Sequence, residues 1–379
     1  MLSSEYLRQA LTSADYAGRP GRAATVAFTS INCSYLPKAM VLAESVRKFN
    51  PDWEFHLLLN DYVNPTTTLA NVDRIVPISY LGIDSFHPWC FSHDVVELCT
   101  ATKASYFYQL LRAGYQKIIY LDPDIQVFAP LTYLEELLEA HDVLLTPHNF
   151  QPVQRDIEIL YTEMSVLAHG VFNLGFVGVA NRKTAWQVIE FWMRRMERYC
   201  LDEHAKGLFT DQKWFNLVPV YFDNVFVVKH PGCNVASWNI SSRQLSRRGG
   251  HIFAGDAELL FFHFSGYDRS VPRRMFEIFG AYNSVVADII DWYDKRVAHW
   301  SNHIEARLAP WVYGFFDNGE PVTRAMRRLY RSSLDNRVHF PKPYFTAGSR
   351  SFWSHLRQIG LSKVENTFDP PRILRSYYG

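Results

Sequence analysis

The sequence predicts an α/β fold in which one sheet is flanked by helices, followed by a mainly helical C-terminal region. Apolar, strand-like runs alternate with helical periodicity as far as His263, which is typical of an α/β sheet. One short run, KIIYL, is apolar almost throughout and therefore predicts a central strand. After His263 the pattern changes to helices with many arginine and aromatic residues.

The predicted elements begin with a β-α-β-β series. Thr25–Ser30 is a strand whose apolar run stops at small polar residues, as happens where a strand meets a ligand. Leu36–Phe49 shows helical periodicity and ends at Asn50-Pro51. The further predicted strands are Trp53–Asn60, Arg74–Ile78, Lys117–Leu121, Asp142–Thr146, Val171–Val179, Asn224–Lys229 and Leu259–His263. The further predicted helices are Val95–Ala113, Leu131–Ala140, Lys183–Tyr199, Met275–Trp300 and Pro321–Arg331.

Three regions are predicted along the chain. Residues 1–22 combine a short helix, Glu5–Ala14, with a Gly/Pro linker. Residues 23–270 form the α/β domain, and residues 271–379 form a helical, arginine-rich region. Two glycines inside Val171–Val179 indicate a close approach of another chain segment.

The composition excludes several classes of protein. The 379 residues are 48% hydrophobic and 20% charged, which excludes a mainly disordered chain. The net charge of +1 offers no basic field, so no nucleic-acid partner is expected. Five widely spaced cysteines without a CxxC pair favour a reducing cytosol. The N-terminus lacks the apolar run of a secretory signal, so we expect a cytoplasmic protein.

The sharpest motif is Tyr120-Leu121-Asp122-Pro123-Asp124, at the end of the predicted central strand. In extended backbone, carboxylates at i and i+2 point the same way, and the proline favours this geometry. Two such carboxylates repel each other unless a hard divalent cation bridges them, and that cation can also bind a diphosphate. The alternative interpretation is a solvated turn with a helix-capping aspartate.

Five segments follow one another along the chain: VAFTS with SYLPKAMVLAESVRKFNPD, KIIYLDPDIQVF, VFNLGFVGVAN, Thr210-Asp211-Gln212 with Asn216, and His263-Phe264-Ser265-Gly266. In this order they resemble the motifs of the GT-A glycosyltransferases, most closely family 8 of the nucleotide-sugar transferases. The resemblance covers residues 24–270. It implies a Rossmann-like GT-A fold, whose mixed sheet is flanked by helices. It also implies transfer of a sugar from a nucleotide-diphosphate donor to an acceptor hydroxyl.

The resemblance implies a metal site. Asp122 and Asp124 match the metal-binding pair, with Asp122 also near the donor ribose, and His263 matches the third protein ligand. An imidazole beside two carboxylates suits Mn²⁺ better than Mg²⁺ or Ca²⁺. The expected cofactor is therefore Mn²⁺, with Mg²⁺ as the alternative.

The resemblance also implies donor contacts, with two departures from the family pattern. Thr29 and Asn32 lie where the first strand meets the base, but the usual aspartates are missing there. A UDP-sugar is favoured, and GDP- and dTDP-sugars stay open. Lys103 matches a cation near the phosphates, and Asn173 matches an amide in the sugar or acceptor pocket. Arg269 stands near the family's diphosphate-binding lysine, with an exposed structural arginine as the alternative.

Asp211 and Gln212 match the pair beside the reacting sugar carbon. A glutamine cannot deprotonate an alcohol, whereas its neutral amide oxygen can stabilise positive charge at that carbon, so the pair favours retention of configuration. An inverting enzyme would use Asp211 as the general base. Asp211 could also cap the helix predicted at Lys213–Leu217, a role that is compatible with function.

Other functions stay open. A haloacid-dehalogenase-like phosphatase also uses a strand followed by DxD, but Gln126 occupies the position of its Thr or Val. A non-catalytic carbohydrate-binding protein on the same fold is the third hypothesis. The acceptor is a glycan, a lipid-linked sugar or a protein, and bacterial polysaccharide or lipopolysaccharide synthesis is the expected setting.

The C-terminal region carries an arginine stripe. Its members share one helical face at i, i+3, i+4 and i+7; they are Arg324, Arg327, Arg328 and Arg331. A solvated face is the default interpretation. A basic face could also dock on anionic lipids, which would place the protein peripherally on the inner face of the membrane.

Overall fold

The structure is a computed structural model that describes residues 23–61, 68–266, 270–279, 281–303 and 311–362. The predicted helix Glu5–Ala14 and the predicted donor contact Arg269 lie outside the described residues.

Strands and helices alternate through the first part of the chain. The strands are β1 (Thr25–Ile31), β2 (Glu54–Leu59), β3 (Arg74–Pro77), β4 (Lys117–Leu121), β5 (Ile125–Val127), β6 (Val143–Pro147), β7 (Phe172–Ala180), β8 (Leu201–Glu203), β9 (Leu208–Thr210), β10 (Val225–Val227), β11 (Leu245–Arg248), β12 (His251–Ala254), β13 (Ala257–Glu258) and β14 (Phe261–His263). The helices are α1 (Leu36–Phe49), α2 (Phe86–Phe91), α3 (Val95–Arg112), α4 (Thr132–Ala140), α5 (Asp156–Glu158), α6 (Met164–His169), α7 (Lys183–Met196), α8 (Gln212–Phe215), α9 (Val218–Tyr221), α10 (Ser270–Ile278), α11 (Ser284–His303), α12 (Arg324–Arg331), α13 (Asp335–His339) and α14 (Phe352–Gln358).

The central sheet has seven strands in the order β10-β6-β7-β4-β1-β2-β3. Strand β7 runs antiparallel to both of its neighbours, β4 and β6, and the other pairs are parallel. The sheet is therefore mixed, and helices cover both of its faces. This architecture, with the helices that follow residue 270, confirms the predicted fold class.

Strand β4 shows why the sheet is covered on both faces. Its successive side chains point to opposite sides. Ile118 and Tyr120 pack into a cluster with α3 and α7, whereas Ile119 and Leu121 pack into a cluster with α1 and α4. All four are buried, so the apolar run KIIYL is the central strand that the sequence predicts.

The C-terminal region shares hydrophobic clusters with the sheet domain. The ring of Phe91, in α2, is surrounded by Phe316, Tyr330, Tyr344 and Phe352, with ring centroids 4.9–5.8 Å away. Aromatic side chains dominate the apolar area that such a contact buries. The predicted boundary near residue 271 therefore separates two parts of the chain that pack against each other. The division into domains stays a prediction.

The prediction of one helix over Met275–Trp300 is wrong, because the helix is interrupted between α10 and α11. Asn283 begins α11: its side-chain oxygen accepts a hydrogen bond from the backbone N–H of Val286 at 3.0 Å. This cap satisfies one of the free N–H groups of the first turn and so starts a new helix.

The prediction of a solvated arginine face is wrong for two of its four members. Arg327 is 2% exposed, and its guanidinium donates to carbonyl oxygens at the end of α2 and to Tyr313 O at 2.6 Å. Arg331 lies between Glu97 and Glu203 at 2.8 and 2.7 Å. These two side chains are turned inward, so the complete stripe is not free to face a membrane. Within the described residues, no helix is both long enough and apolar enough to cross one.

Replacing Arg327 with leucine should destabilise the fold by about 3 kcal/mol or more, because it leaves buried carbonyl groups without a donor. The measurement is the free energy of unfolding in urea. Arg328→Leu is the matched control: Arg328 is 53% exposed and lies 3.7 Å from Glu203, so we expect a loss below about 1 kcal/mol. Equal losses in both variants would contradict the structural role of Arg327.

Candidate active site

The two carboxylates of the motif lie in a tight turn between β4 and β5. The backbone N–H of Asp122 donates to Gly175 O at 2.8 Å, and that of Ile125 donates to Asp122 O at 3.0 Å. The first bond extends the β4–β7 pairing past the end of the strand. The turn therefore holds Asp122 and Asp124 at the carboxyl end of the central strand.

Strand pairing brings His263 beside these carboxylates. β14 pairs with β5 so that His263 lies opposite Ile125, and Phe264 N donates to Asp124 O at 2.8 Å. The Nε2 atom of His263 is 3.1 Å from Asp124 Oδ1 and 3.7 Å from Asp122 Oδ2. One potential ligand atom from each residue lies within 4.8 Å of the others. The structure thus brings together the three residues predicted as metal ligands.

The charges in this cluster stabilise one another despite burial. Burial favours a neutral imidazole, but the negative charge of Asp124 outweighs it and raises the pKa of His263. Burial likewise favours a neutral carboxyl group, but His263 lowers the pKa of Asp124. A buried group that stays charged in this way needs a partner, and a divalent cation could replace the imidazole proton in that role.

A residue that the sequence analysis did not assign, Asn234, orients the imidazole. Its side-chain oxygen lies 3.2 Å from His263 Nδ1, and its Nδ2 donates to Thr146 Oγ1 at 2.8 Å and to Asn173 Oδ1 at 3.0 Å. Because the amide oxygen can only accept, His263 Nδ1 carries the proton in this contact. The neutral tautomer then presents its Nε2 lone pair to the carboxylates, as a metal ligand requires.

Gly175, in β7, lies where another chain segment approaches the strand closely, as the glycines in this strand predict. A Cβ atom there would lie 2.5 Å from His263 Cε1 and 2.8 Å from Asn173 Oδ1. Any other residue would push His263 away from the carboxylates, so this glycine is part of the site.

Lys103 lies between two carboxylates rather than free in the cleft. It is 5% exposed, and its Nζ is 3.6 Å from both Asp122 and Asp211. The ammonium also donates to Leu174 O at 3.3 Å and lies 4.3 Å from the ring centre of Tyr120. The two carboxylates raise the pKa of Lys103 even though burial opposes it. The nearest charged groups to this predicted phosphate contact are therefore the carboxylates of Asp122 and Asp211.

Asp211 and Gln212 enter the cleft from the end of β9. Thr210, just before them, has φ of 44°, a backbone conformation that β-branched residues rarely adopt. Burial raises the pKa of Asp211 to about 6; the nearby Lys103 opposes this rise, and the charge of Asp122 adds to it. The side chain of Asp211 makes no capping hydrogen bond to α8, so the prediction of a cap is wrong.

The Gln212 amide is held on both sides. Its oxygen accepts from Leu174 N at 3.2 Å and from Asn173 Nδ2 at 3.5 Å, and its nitrogen donates to His169 O at 3.2 Å. Asn173 and Gln212, which the sequence predicts as neighbours of the reacting sugar, thus meet in one amide network. Such a network fixes the direction of each carbonyl dipole.

The cleft around these residues has a volume of 530 Å³. Asn32 and Ser30 line it at the end of β1. The predicted donor contact of Thr29 is corrected by the structure, because Thr29 is fully buried in the sheet and does not line the cleft. Trp238 and His148 also line it, with ring centroids 5.5 Å apart. No sequence pattern assigns His148 to a site, because its neighbours in the cleft are distant in the chain.

The predicted site residues within the described part of the chain, apart from Thr29, share this cleft. They are Asn32, Lys103, Asp122, Asp124, Asn173, Asp211, Gln212 and His263. Their roles as ligands or catalytic groups stay predictions, because proximity alone does not assign a role.

Comparison with known proteins gives distant similarities. No protein-family model matches the chain, so membership of glycosyltransferase family 8 stays a prediction. Two proteins of Bacillus subtilis (strain 168), both described as uncharacterized, are similar in sequence. YfnD is 29% identical over 152 residues, which are 38% of this chain and 49% of YfnD, so the match spans about half of that relative. YfnF is 23% identical over 299 residues, which are 76% of this chain and 97% of YfnF.

Among solved structures, this chain is similar to the galactosyltransferase LgtC in complex with donor and acceptor sugar analogues. The TM-score is 0.40 at 15% identity, covering 69% of this chain and 96% of that one. A TM-score of this size indicates a loose likeness, so the chemistry of the cleft is judged on its own residues.

Asp211→Asn should make stability less dependent on pH between about 4 and 7. The folded pKa of Asp211, about 6, exceeds the usual 3.8, so the folded protein holds this proton more tightly than the unfolded chain. That stabilisation is complete below pH 3.8 and is lost as the pH rises through 6. Relative to the variant, the wild type should lose about 3 kcal/mol across this window.

The measurement is urea unfolding at several pH values in EDTA, which removes metal ions near Asp122. Asp142→Asn is the control. Despite burial, the hydrogen bond from Arg182 lowers the pKa of Asp142, so its contribution should be constant above pH 4. Parallel stability profiles for the wild type and Asp211→Asn would show that the Asp211 carboxyl is not held protonated.

Asn234→Gly should weaken Mn²⁺ binding by about 10- to 100-fold, because His263 loses the acceptor that orients it. Glycine is chosen because φ of 55° at this position strains alanine. Asn234→Asp keeps an oxygen towards Nδ1 and should retain most of the affinity. The readout is calorimetric titration with Mn²⁺, and equal affinities for both variants would exclude a positioning role.

Proposed function

We propose that the protein is a metal-dependent glycosyltransferase that moves a sugar from a nucleotide-diphosphate donor to an acceptor hydroxyl. One observation carries the proposal: Asp122, Asp124 and His263 converge at the carboxyl end of the central strand, in an open cleft. In open α/β sheets, ligands bind at such strand ends.

The donor set fits a divalent cation. Two carboxylates and one imidazole would hold it, and the imidazole favours Mn²⁺ over Mg²⁺. When bound, the cation would neutralise negative charge on a departing diphosphate. Asn234 and Gly175 support this assignment, because one fixes the imidazole tautomer and the other leaves space for the ring.

The nucleotide would lie against the end of β1. Ser30 and Asn32 line the cleft there, and Asn32 can hydrogen-bond a base. A UDP-sugar is the favoured donor, with GDP- and dTDP-sugars as the alternatives. Lys103 would act mainly by holding Asp122 and Asp211 in place, since its ammonium lies between their carboxylates.

Asp211 and Gln212 would border the reacting sugar carbon. We propose a retaining reaction, in which the neutral amide of Gln212 lies beside developing positive charge. The hydrogen bonds of Gln212 support this choice, because they hold its neutral amide in a fixed direction within the cleft. Inversion with Asp211 as the base is the alternative, and its pKa of about 6 would suit that role near neutral pH.

The setting that we propose is synthesis of a bacterial surface glycan in the cytoplasm, on a glycan, lipid-linked or protein acceptor. Its support is the motif resemblance alone.

Asp124→Asn should abolish metal-linked nucleotide binding. In a thermal-shift screen of UDP, GDP, dTDP and CMP, one nucleotide with Mn²⁺ should stabilise the wild type, by about 2.7 kcal/mol at 100 times its Kd. Asparagine keeps the shape of the side chain but removes the ligand charge, so the Mn²⁺-dependent part of the shift should vanish.

Asp288→Asn, on the exposed surface of α11, is the matched control and should behave as the wild type. Donor hydrolysis with Mn²⁺ then separates an enzyme from a binding protein. A wild type that binds a nucleotide but hydrolyses no donor would favour the non-catalytic alternative. A wild type that binds none of the four nucleotides would contradict the proposal.

A further inference from the structure

A second cleft, larger than the first, lies between the C-terminal region and the hairpin formed by β8 and β9. Its volume is 960 Å³. We call it the basic cleft, after the six cationic side chains that line it: Arg198, Lys206, Arg324, Arg328, Arg331 and Arg337. None of these residues takes part in the proposed metal site or in the donor contacts.

Carboxylates neutralise this cleft unevenly. Glu203 is shared by Lys206 at 2.5 Å, Arg331 at 2.7 Å and Arg328 at 3.7 Å. Because Glu203 is closer to the other two, it leaves Arg328 weakly compensated. Arg324 is compensated better, since Asp202 lies 3.1 Å from its guanidinium.

Arg337 is the least compensated member. It is half-buried, and among the described residues its guanidinium makes no hydrogen bond or ion pair. Burial and the positive charge of Arg198 lower the pKa of Arg337, and the nearby Tyr330 and Glu197 oppose this shift without reversing it. A guanidinium that loses hydration without gaining a partner is costly, and an entering anion would remove that cost. Its planar set of donors matches the oxygens of a phosphate group.

The basic cleft adjoins the candidate active site. The β8–β9 hairpin lines it and continues directly into Asp211 and Gln212. The ring of His204, which lines the basic cleft, lies 5.0 Å from the ring of His169 and 5.1 Å from that of Phe209. The rings of His169 and Phe209 both line the cleft of the candidate active site. A single extended ligand bound across this aromatic contact would reach both clefts.

We propose that the basic cleft binds a phosphate group carried by the acceptor substrate, with Arg328 and Arg337 as its main contacts. This inference rests on the proposed function, because it assigns the acceptor class of the same enzyme. The half-buried guanidinium at the wall of a concave site favours a discrete phosphate group over a flat lipid surface.

The first test is binding of inorganic pyrophosphate, measured by calorimetry in EDTA. Asp124→Asn serves as the background, so that the metal cluster cannot contribute. Adding Arg328→Gln and Arg337→Gln should weaken binding by about tenfold or more, since two charge-assisted contacts are lost. Both residues lack tight structural contacts, so the fold should persist.

The matched control replaces two exposed helix arginines that line neither cleft, Arg112→Gln and Arg194→Gln, and should leave the affinity unchanged. Equal affinity in the Arg328/Arg337 variant and this control would overturn the proposal. The absence of saturable pyrophosphate binding would overturn it as well.

The second test compares acceptor sugars with and without a phosphate ester, using the donor identified by the nucleotide screen. The wild type should show a higher kcat/KM for the phosphorylated member of each pair. The Arg328→Gln/Arg337→Gln variant should lose that preference by about tenfold, whereas the Arg112/Arg194 control should keep it. A wild type that hydrolyses donor but does not prefer phosphorylated acceptors overturns this inference alone. A wild type that hydrolyses no donor defeats the proposed function, and the pyrophosphate result then still decides whether the anion site exists.

Discussion

The pairing of β5 with β14 is the constraint on which the rest of the site depends. The turn after β4 sets the two carboxylates, but only the register of β14 puts His263 opposite Ile125 and its imidazole against Asp124. Two backbone segments that are distant in the chain thus meet at one point. Strand hydrogen bonds hold them there, and such bonds tolerate little displacement.

Charge balance explains why the surroundings of this point are so polar. Asp122, Asp124 and Asp211 gather around Lys103 and His263. Lys103, Asp211 and His263 are buried, and Asp122 and Asp124 are partly buried. Burial raises the cost of ionisation here, and the like charge of Asp122 adds to it, so the pKa of Asp211 rises to about 6. The amides nearby fix orientations without adding charge, which suits a site that is to admit a cation and a diphosphate.

The C-terminal region packs against the sheet domain through two kinds of contact. Aromatic rings around Phe91 bury apolar area, and Arg327 supplies donors to carbonyl oxygens where α2 ends. The same helix α12 turns Arg328 outward into the basic cleft. One helix therefore joins the C-terminal region to the sheet domain with one face and lines a cleft beside the β8–β9 hairpin with another.

The sequence by itself determined the local features: the seven strands of the central sheet, the buried strand KIIYL among them, the carboxylate pair after it and the glycine that β7 needs. These follow from side-chain periodicity and backbone sterics, which act over a few residues. Only the tertiary structure decided that Lys103 lies between two carboxylates, that Asn234 orients His263, that Thr29 is buried and that Arg327 points inward. Each of these contacts depends on pairing or packing between segments that are distant in the chain. Helical or strand periodicity shows which face of an element is polar, but it does not show which distant segment covers that face.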